Sequence, residues 1–173
     1  DIVLAIDVST SMRAEDFSID GQRRNRLDVV KEVVKEFISN RFGDRIGVVV
    51  FAGEPYTLSP LTWDHDWLIR QLDNVKTGMV EDGTAIGSAL ITACNRLKNF
   101  EAESKMIVLL TDGVNNAGDV SPETAAEVAK TLGYKVYTIG AGTKGPVPYP
   151  VESFGRTIYQ NVQIDIDDEL LEM

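Results

Sequence analysis

Four short, almost continuously apolar runs constrain the fold of this chain more than any other feature. They are rich in Val and Ile, and they span Ile2 to Ile6, Ile46 to Phe51, Met106 to Leu110 and Lys135 to Ile139. Runs of this kind are typical of strands that are covered on both faces, as in a parallel sheet. Because segments with helical periodicity separate them, the sequence predicts an α/β fold with an open, doubly wound, mostly parallel sheet and helices on both faces.

The segments between the runs carry the helix signals. Apolar residues recur at helical spacing on two predicted faces, one through Leu27, Val30, Val34, Phe37 and Ile38 and the other through Ile86, Leu90, Ala93 and Leu97. Ser121, Pro122 and Glu123 are typical of a helix start, and Gly133 of a helix end. A shorter helix is predicted over Asp64 to Asp73, and an edge strand over Glu54 to Leu58.

The length of 173 residues fits one domain, and we expect residues 1–173 to form it. Residues 142–164 interrupt the alternation, because prolines at 146, 148 and 150 exclude a helix and Arg156 to Ile164 has an extended pattern. We expect an inserted loop with a hairpin there. The acidic run from Asp167 to Glu169 is typical of the first turn of another helix, which the chain ends before completing.

Charge and composition narrow the classes of function. The chain has 27 acidic and 17 basic side chains, a formal charge of -10, so it repels a phosphate backbone and we expect no nucleic-acid partner. The single cysteine, Cys94, cannot form an internal disulfide or a cysteine-rich zinc site, and the single histidine, His65, argues against histidine-dependent chemistry. No apolar run is long enough to cross a bilayer, so we expect a soluble domain.

Oxygen-bearing side chains follow the apolar runs, where an open parallel sheet binds its ligands. Asp7, Ser9 and Ser11 follow the first run, Asp112 follows the third, and Thr84 precedes a predicted helix. Hydroxyls and carboxylates without His or Cys suit a hard cation such as Mg²⁺, Mn²⁺ or Ca²⁺. Each piece alone also fits a turn or helix cap, and it is their combination that favours a metal site.

In their order, these five residues resemble a known metal site. The pattern Asp-x-Ser-x-Ser, then Thr, then Asp, is that of the metal-ion-dependent adhesion site of the von Willebrand factor A domain family, and Asp7, Ser9, Ser11, Thr84 and Asp112 match it. The resemblance covers residues 1 to about 142. Further stretches are similar to the bacterial branch related to Bacteroides aerotolerance proteins, at residues 11–17, 25–27, 44–47, 81–87 and 110–118.

The resemblance implies a function and a setting. In the family, the two serines and the threonine contact the metal directly or through one water, the two aspartates act largely through water, and a partner's Asp or Glu completes the coordination. It implies a membrane-anchored bacterial protein, with the periplasmic side favoured, and related von Willebrand factor A proteins or an AAA-type ATPase as partners. It also implies that a final helix, strand and helix follow the point where this chain stops.

Other functions are weighed against this interpretation. A metal-dependent hydrolase is the main alternative, but it needs a general base that the sequence does not supply; a structural domain with an empty site is another. Gly140 to Gly145 matches a dinucleotide-binding fingerprint, but the prolines that follow prevent the required helix. Arg23, Arg24 and Arg26 form a basic cluster, which is either a solvated charge run or a contact surface for an acidic partner.

Overall fold

The computed structural model describes residues 1–19, 21–164 and 167. In chain order the elements are β1 (Ile2–Asp7), a 3₁₀ helix (Thr10–Arg13), β2 (Phe17–Ile19), β3 (Gln22–Arg24), α1 (Arg26–Ser39), β4 (Ile46–Phe51), β5 (Pro55–Thr62), α2 (His65–Asp73), α3 (Ile86–Lys98), β6 (Met106–Thr111), α4 (Pro122–Thr131), β7 (Lys135–Gly140), β8 (Gly145–Ser153) and β9 (Arg156–Ile164). Each of the four apolar runs forms a strand, as predicted.

The central sheet has five strands in the order β5-β4-β1-β6-β7. Strands β1, β4, β6 and β7 are parallel, and β5 is an antiparallel edge strand beside β4. The predicted α/β class with a mostly parallel sheet is therefore confirmed. The edge strand is longer than predicted, because it continues past Leu58 to Thr62 after register shifts opposite Ile46, Val48 and Val49. Bulges of this kind keep a strand paired beyond the residues that alternate regularly.

Helices cover the central sheet on both faces. Side chains of a strand alternate between its faces, so Leu4 and Ile6 of β1 pack in one buried cluster with α1 and α2, whereas Val3 and Ala5 pack in another with α3 and α4. The predicted faces of α1 and α3 are the buried ones, with Phe37 only partly buried. Among the described residues, no helix combines the length and the apolar character needed to cross a membrane.

Side-chain caps fix where three of the helices begin. Asn25 accepts a hydrogen bond from the Asp28 amide at the start of α1, Asp64 accepts one from the Trp67 amide at α2, and Ser121 accepts one from the Thr124 amide at α4. Each cap satisfies an amide that has no partner inside the helix. The predicted start of α4 at Ser121 and Pro122 is confirmed, and α2 begins one residue after Asp64.

Residues 145–164 form an antiparallel hairpin, β8 and β9, that packs beside the loop after β1. The Glu15 amide donates to the Pro148 carbonyl at 2.8 Å, and the Tyr149 hydroxyl donates to the Thr10 carbonyl at 3.1 Å. The hairpin therefore borders residues 9–16. The helix predicted from Asp167 falls on residues outside those described, and the domain boundaries stay a prediction.

Cys94 is expected to be inert in the folded protein. Its side chain is buried in α3, and this burial raises the pKa of the thiol to about 11. Since the thiolate is the reactive form, a disulfide reagent at pH 8 should label Cys94 only after unfolding in denaturant. Complete labelling of the native protein on mixing would contradict the burial.

Candidate metal centre

The candidate centre lies at the carboxyl ends of the central strands β1 and β6. Asp7 is the last residue of β1, Asp112 directly follows β6, and both side chains are fully buried. In the sheet, β4 lies on one side of β1 and β6 lies on the other. The strand order therefore reverses between β1 and β6, and the two aspartates flank that point. Open α/β sheets bind ligands at such a point.

Hydrogen bonds join the loop after β1 to Asp112. The Ser9 amide donates to Asp7 Oδ1 at 2.8 Å, and the Ser11 hydroxyl donates to Asp112 Oδ1 at 2.7 Å. Ser9 Oγ and Ser11 Oγ are 2.9 Å apart. Because the Ser11 proton is directed at Asp112, Ser9 is the donor of this bond. The two serine hydroxyls and the Asp112 carboxylate thus form one connected set of oxygens, and Asp7 is joined to it through the Ser9 amide.

Thr84 reaches the same place from the loop before α3. Its amide donates to Asn116 Oδ1 at 2.8 Å, and a Cβ added at Gly113 would lie 3.4 Å from the Thr84 hydroxyl oxygen. The loop after β6 therefore packs directly against Thr84. Thr84 does not cap α3 with its side chain; Asn115 accepts the hydrogen bond from the first helical amide, that of Ile86, at 2.9 Å.

Asp82 ties the loop before α3 to the loop after β1. Its two carboxylate oxygens accept from the Thr10 amide at 3.1 Å and the Thr10 hydroxyl at 2.9 Å. These bonds bring Thr84 to the loop that carries Ser9 and Ser11. The structure thus assembles all five residues of the predicted site at one edge of the sheet, and their role in metal binding stays a prediction.

Burial makes the pair of carboxylates unfavourable without a nearby cation. Burial, and next the charge of Asp112, raise the pKa of Asp7 to about 7. Burial also raises the pKa of Asp112, although hydrogen bonds from Arg26 and Ser11 oppose the shift. A positive charge beside buried carboxylates favours their ionised form, so the pair is suited to a cation.

Arg26 does not belong to the exposed basic cluster, and its assignment to the partner surface was wrong. It is the first residue of α1, it is fully buried, and it forms ion pairs with Asp16 at 2.8 Å and Asp112 at 2.7 Å. The two inward-facing carboxylates explain its burial. Arg23 is exposed, and Arg24 is partly exposed and paired with Glu32, so these two remain accessible.

The side chains of this centre differ from those of metal sites that are built mainly from carboxylates, thiolates or imidazoles. No group of three or more His, Cys, Asp or Glu side chains that could hold a metal occurs within residues 1–19, 21–164 and 167. A cation held at the candidate centre would instead bind hydroxyls backed by two aspartates. Such donors fit a hard divalent ion.

A comparison with protein families settles the membership of the chain. The model of the von Willebrand factor type A domain matches residues 2–115. The chain belongs to this family. All of the assembled residues from Asp7 to Asp112 lie inside the matched region, whereas the β8–β9 hairpin lies outside it.

Proteins similar to this chain include bacterial and animal examples. An uncharacterized protein of Borreliella burgdorferi is 37% identical over 143 residues, which cover 83% of this chain and 41% of that protein. The structure of an aerotolerance-related membrane protein from Bacteroides fragilis, carrying multiple mutations to serine, superposes with a TM-score of 0.82 at 27% identity, over 98% of this chain and 83% of the other. Proximal thread matrix protein 1 from the mussel byssus, whose structure has a zinc-occupied metal-ion-dependent adhesion site, superposes with a TM-score of 0.64 at 23% identity, over 81% of this chain and 37% of that one.

The chain spans about half the length of the curated relatives that it matches, from 41% to 53% of the first three. The similarity to the Bacteroides protein agrees with the predicted aerotolerance-related branch of the von Willebrand factor A family. The mussel protein, at its lower identity, supports the fold alone.

Besides Thr10 and Asp82, four residues that support the site were not predicted as part of it. Thr111 donates to Asp7 Oδ2 at 2.6 Å, and Asp16 accepts from the Arg26 guanidinium. Asn116 and Asn115 accept from the amides of Thr84 and Ile86, and so hold the loop before α3. A local signal exists for Thr111, because it is a polar residue at the end of an otherwise apolar strand. The two asparagines follow Asp112 within the resembling stretch, which could have drawn attention to them.

The glycine-rich turn after β7 has a structural role. Strand β8, and no helix, begins at Gly145, so the dinucleotide fingerprint lacks the structure that it needs. Gly142 has φ +144°, and a Cβ there would lie 2.5 Å from Arg26 Cζ. A glycine is required at this point because the backbone passes directly over the buried guanidinium.

Proposed function

We propose that this von Willebrand factor A domain binds a divalent cation and uses it to bind a protein partner. The observation that carries the proposal is the connected set of oxygens from Ser9 through Ser11 to Asp112, with Thr84 packed beside it. Ser9, Ser11 and Thr84 would hold the ion through their hydroxyls. Asp7 and Asp112 would lie behind them, and a partner Asp or Glu would complete the coordination.

The spacing of the hydroxyls is compatible with Mg²⁺. Two oxygens held about 2.1 Å from a Mg²⁺ ion at right angles lie about 3.0 Å apart. Ser9 Oγ and Ser11 Oγ, joined by a hydrogen bond, are 2.9 Å apart, close to this separation. Mn²⁺ and Ca²⁺ accept the same donors, and Ca²⁺ prefers longer bonds. We therefore propose Mg²⁺ as the ion, with Mn²⁺ or Ca²⁺ as the alternatives.

The residues of the chain prepare the site for an external carboxylate. A bound cation whose nearest protein ligands are neutral hydroxyls supplies positive charge to a ligand from outside. Asp7 accepts from the Ser9 amide and orients the loop, while Asp112 orients the Ser11 hydroxyl. Thr84 is positioned through the bond from its amide to Asn116. Each aspartate thus acts by orienting its neighbours.

We propose a binding module rather than an enzyme. The single histidine lies at the opposite end of the sheet, where its Nε2 is 2.8 Å from the carbonyl of Asp44, just before β4 begins. A hydrolase needs a general base within hydrogen-bond reach of the reacting water. His65 is not placed to serve as one, and Asp7 and Asp112 are already engaged in the bonds described above.

The proposed setting is a membrane-anchored bacterial protein with this domain on the periplasmic side. The Bacteroides fragilis protein, described as an aerotolerance-related membrane protein, supports the membrane attachment. We propose that an acidic segment of a related von Willebrand factor A protein, or of an AAA-type ATPase, is the partner. Arg23 and Arg24 lie on β3, which pairs with β2 where the loop after β1 ends, and they would attract such a segment at short range.

Titration calorimetry with Mg²⁺ and Mn²⁺ tests the metal site. We expect Ser9→Ala, Thr84→Ala and Asp112→Ala to weaken metal binding at least tenfold, because each removes an oxygen that would hold the ion or orient its ligands. The control is Ser39→Ala, at an exposed serine in the last turn of α1 whose hydroxyl donates to the Lys35 carbonyl. The Ser39→Ala variant should bind Mg²⁺ and Mn²⁺ with the same affinity as the unmodified protein.

The same titration shows which ion the site prefers, with Ca²⁺ included as a third ligand. Equal affinity in the unmodified protein, Ser9→Ala and Thr84→Ala would remove the proposed site.

A further inference from the structure

We propose that Arg26 is a built-in counterion that holds Asp112 away from the cation and lowers the metal affinity of the site. The inference rests on the proposed function, because it concerns the regulation of the same centre. It makes Arg26 a positioning residue, which acts on the cation through Asp112.

The geometry engages both oxygens of the Asp112 carboxylate. Oδ1 accepts from Ser11 at 2.7 Å, and Oδ2 accepts from Arg26 Nη1 at 2.7 Å. Arg26 is fully buried, so water does not screen this ion pair. An oxygen held by a guanidinium donor gives up part of its charge to that donor. Asp112 is therefore a weaker partner for a cation than an unpaired aspartate would be.

A second carboxylate fixes the guanidinium in this position. Arg26 Nε and Nη2 donate to Asp16, at 2.9 Å and 2.8 Å, and Asp16 also accepts from the Thr143 amide at 2.7 Å and its hydroxyl at 3.0 Å. Gly142 closes over the other side of the guanidinium. The connection from β7 to the β8–β9 hairpin thus holds the counterion in place.

The net charge of the cluster determines whether removing Arg26 tightens or weakens metal binding. The cluster around Arg26 holds three carboxylates, those of the buried Asp7 and Asp112 and of the partly buried Asp16, and one guanidinium. A dication would neutralise it as it stands. Without the guanidinium the cluster carries one more negative charge close to the ion, and Coulomb attraction at short range in a poorly screened site is strong. Removing the positive charge should therefore tighten metal binding, although it weakens the fold.

The test measures the affinity of Mg²⁺ and Mn²⁺ by calorimetry in variants matched for charge. We expect Arg26→Met to bind at least tenfold more tightly than the unmodified protein and Arg26→Lys, which keeps the charge, to stay within about threefold of it. Arg41→Met is the control, because it removes the same charge from an exposed ion pair with Asp44, just beyond the far end of α1. It should change the affinity less than twofold.

If Arg26 only stabilises the fold, Arg26→Met should bind metal more weakly than the unmodified protein, because its site would collapse. Equal or weaker binding by Arg26→Met therefore overturns the proposal. If Arg26→Met does not fold, Asp16→Asn is the test variant. Its control is Glu32→Gln, at an exposed glutamate. Asp16→Asn leaves the guanidinium with one anionic partner and should weaken binding at least threefold; unchanged or tighter binding overturns the proposal.

The two proposals fail in different ways. If the unmodified protein binds no Mg²⁺ or Mn²⁺ while Arg26→Met does, the counterion role stands and the proposed function falls. If the unmodified protein binds metal and the Arg26 and Asp16 variants match their controls, only the counterion role falls. Absence of binding in the unmodified protein and in every variant overturns both.

Discussion

Gly87→Ala is expected to lower the free energy of unfolding by about 3 kcal/mol, and the melting midpoint by about 6 to 12 °C. Gly87 lies in the first turn of α3, and an added Cβ would lie 2.0 Å from the Val120 carbonyl oxygen and 2.7 Å from the Ser121 carbonyl carbon. These are backbone atoms at the start of α4, so they cannot turn aside as a flexible side chain would. Alanine favours a helix by only about 1 kcal/mol over glycine, which is too little to offset the overlap.

Thermal denaturation followed by circular dichroism measures the difference. Gly43→Ala is the matched control, because nothing lies within 4 Å of a Cβ added at that position. It should change the midpoint by no more than about 2 °C. If Gly87→Ala and Gly43→Ala melt together, α3 and α4 are not packed as closely as described.

The sheet and most of the site could be predicted because local sequence determines them. A strand that is buried on both faces must be apolar along its length, so Ile2 to Ile6 and Met106 to Leu110 were recognisable without knowledge of their neighbours. The parallel order then places whatever follows β1 and β6 at one edge. Asp7, Ser9, Ser11 and Asp112 were therefore predictable as neighbours from their positions after strands.

The remaining features depend on contacts between residues far apart in the chain. Arg26 was assigned to a surface cluster because three arginines lie within four positions, but its partners Asp16 and Asp112 are 10 and 86 residues away. Likewise, the first amide of α3, that of Ile86, donates to Asn115 Oδ1, and Asn115 lies 29 residues further along the chain. No local pattern encodes such pairs. Strand β5 extended past its predicted end for a related reason, since register shifts beside β4 set its length.

Chelation of divalent ions is expected to abolish partner binding, and Thr84→Ala is expected to reduce it more than tenfold. A partner carboxylate that coordinates the cation directly would lose its main contact in both cases. Thr84 is buried at the centre, and its position is fixed by Asn116. The measurement is capture of bacterial proteins by the immobilised domain in Mg²⁺ and in EDTA. Thr131→Ala, at an exposed threonine that ends α4, is the control and should capture as the unmodified domain does.

Salt separates coordination from simple charge attraction. An exposed ion pair is worth about 0 to 1 kcal/mol and is screened by salt, whereas a carboxylate bound to a buried cation is screened much less. The formal charge of -10 opposes an acidic partner at long range, and only local groups such as Arg23 and Arg24 counter it. Binding should therefore fall less than about tenfold between 50 and 500 mM NaCl while Mg²⁺ is present. Capture that survives EDTA at full strength, or disappears in salt with Mg²⁺ still present, would place recognition on a surface other than the metal centre.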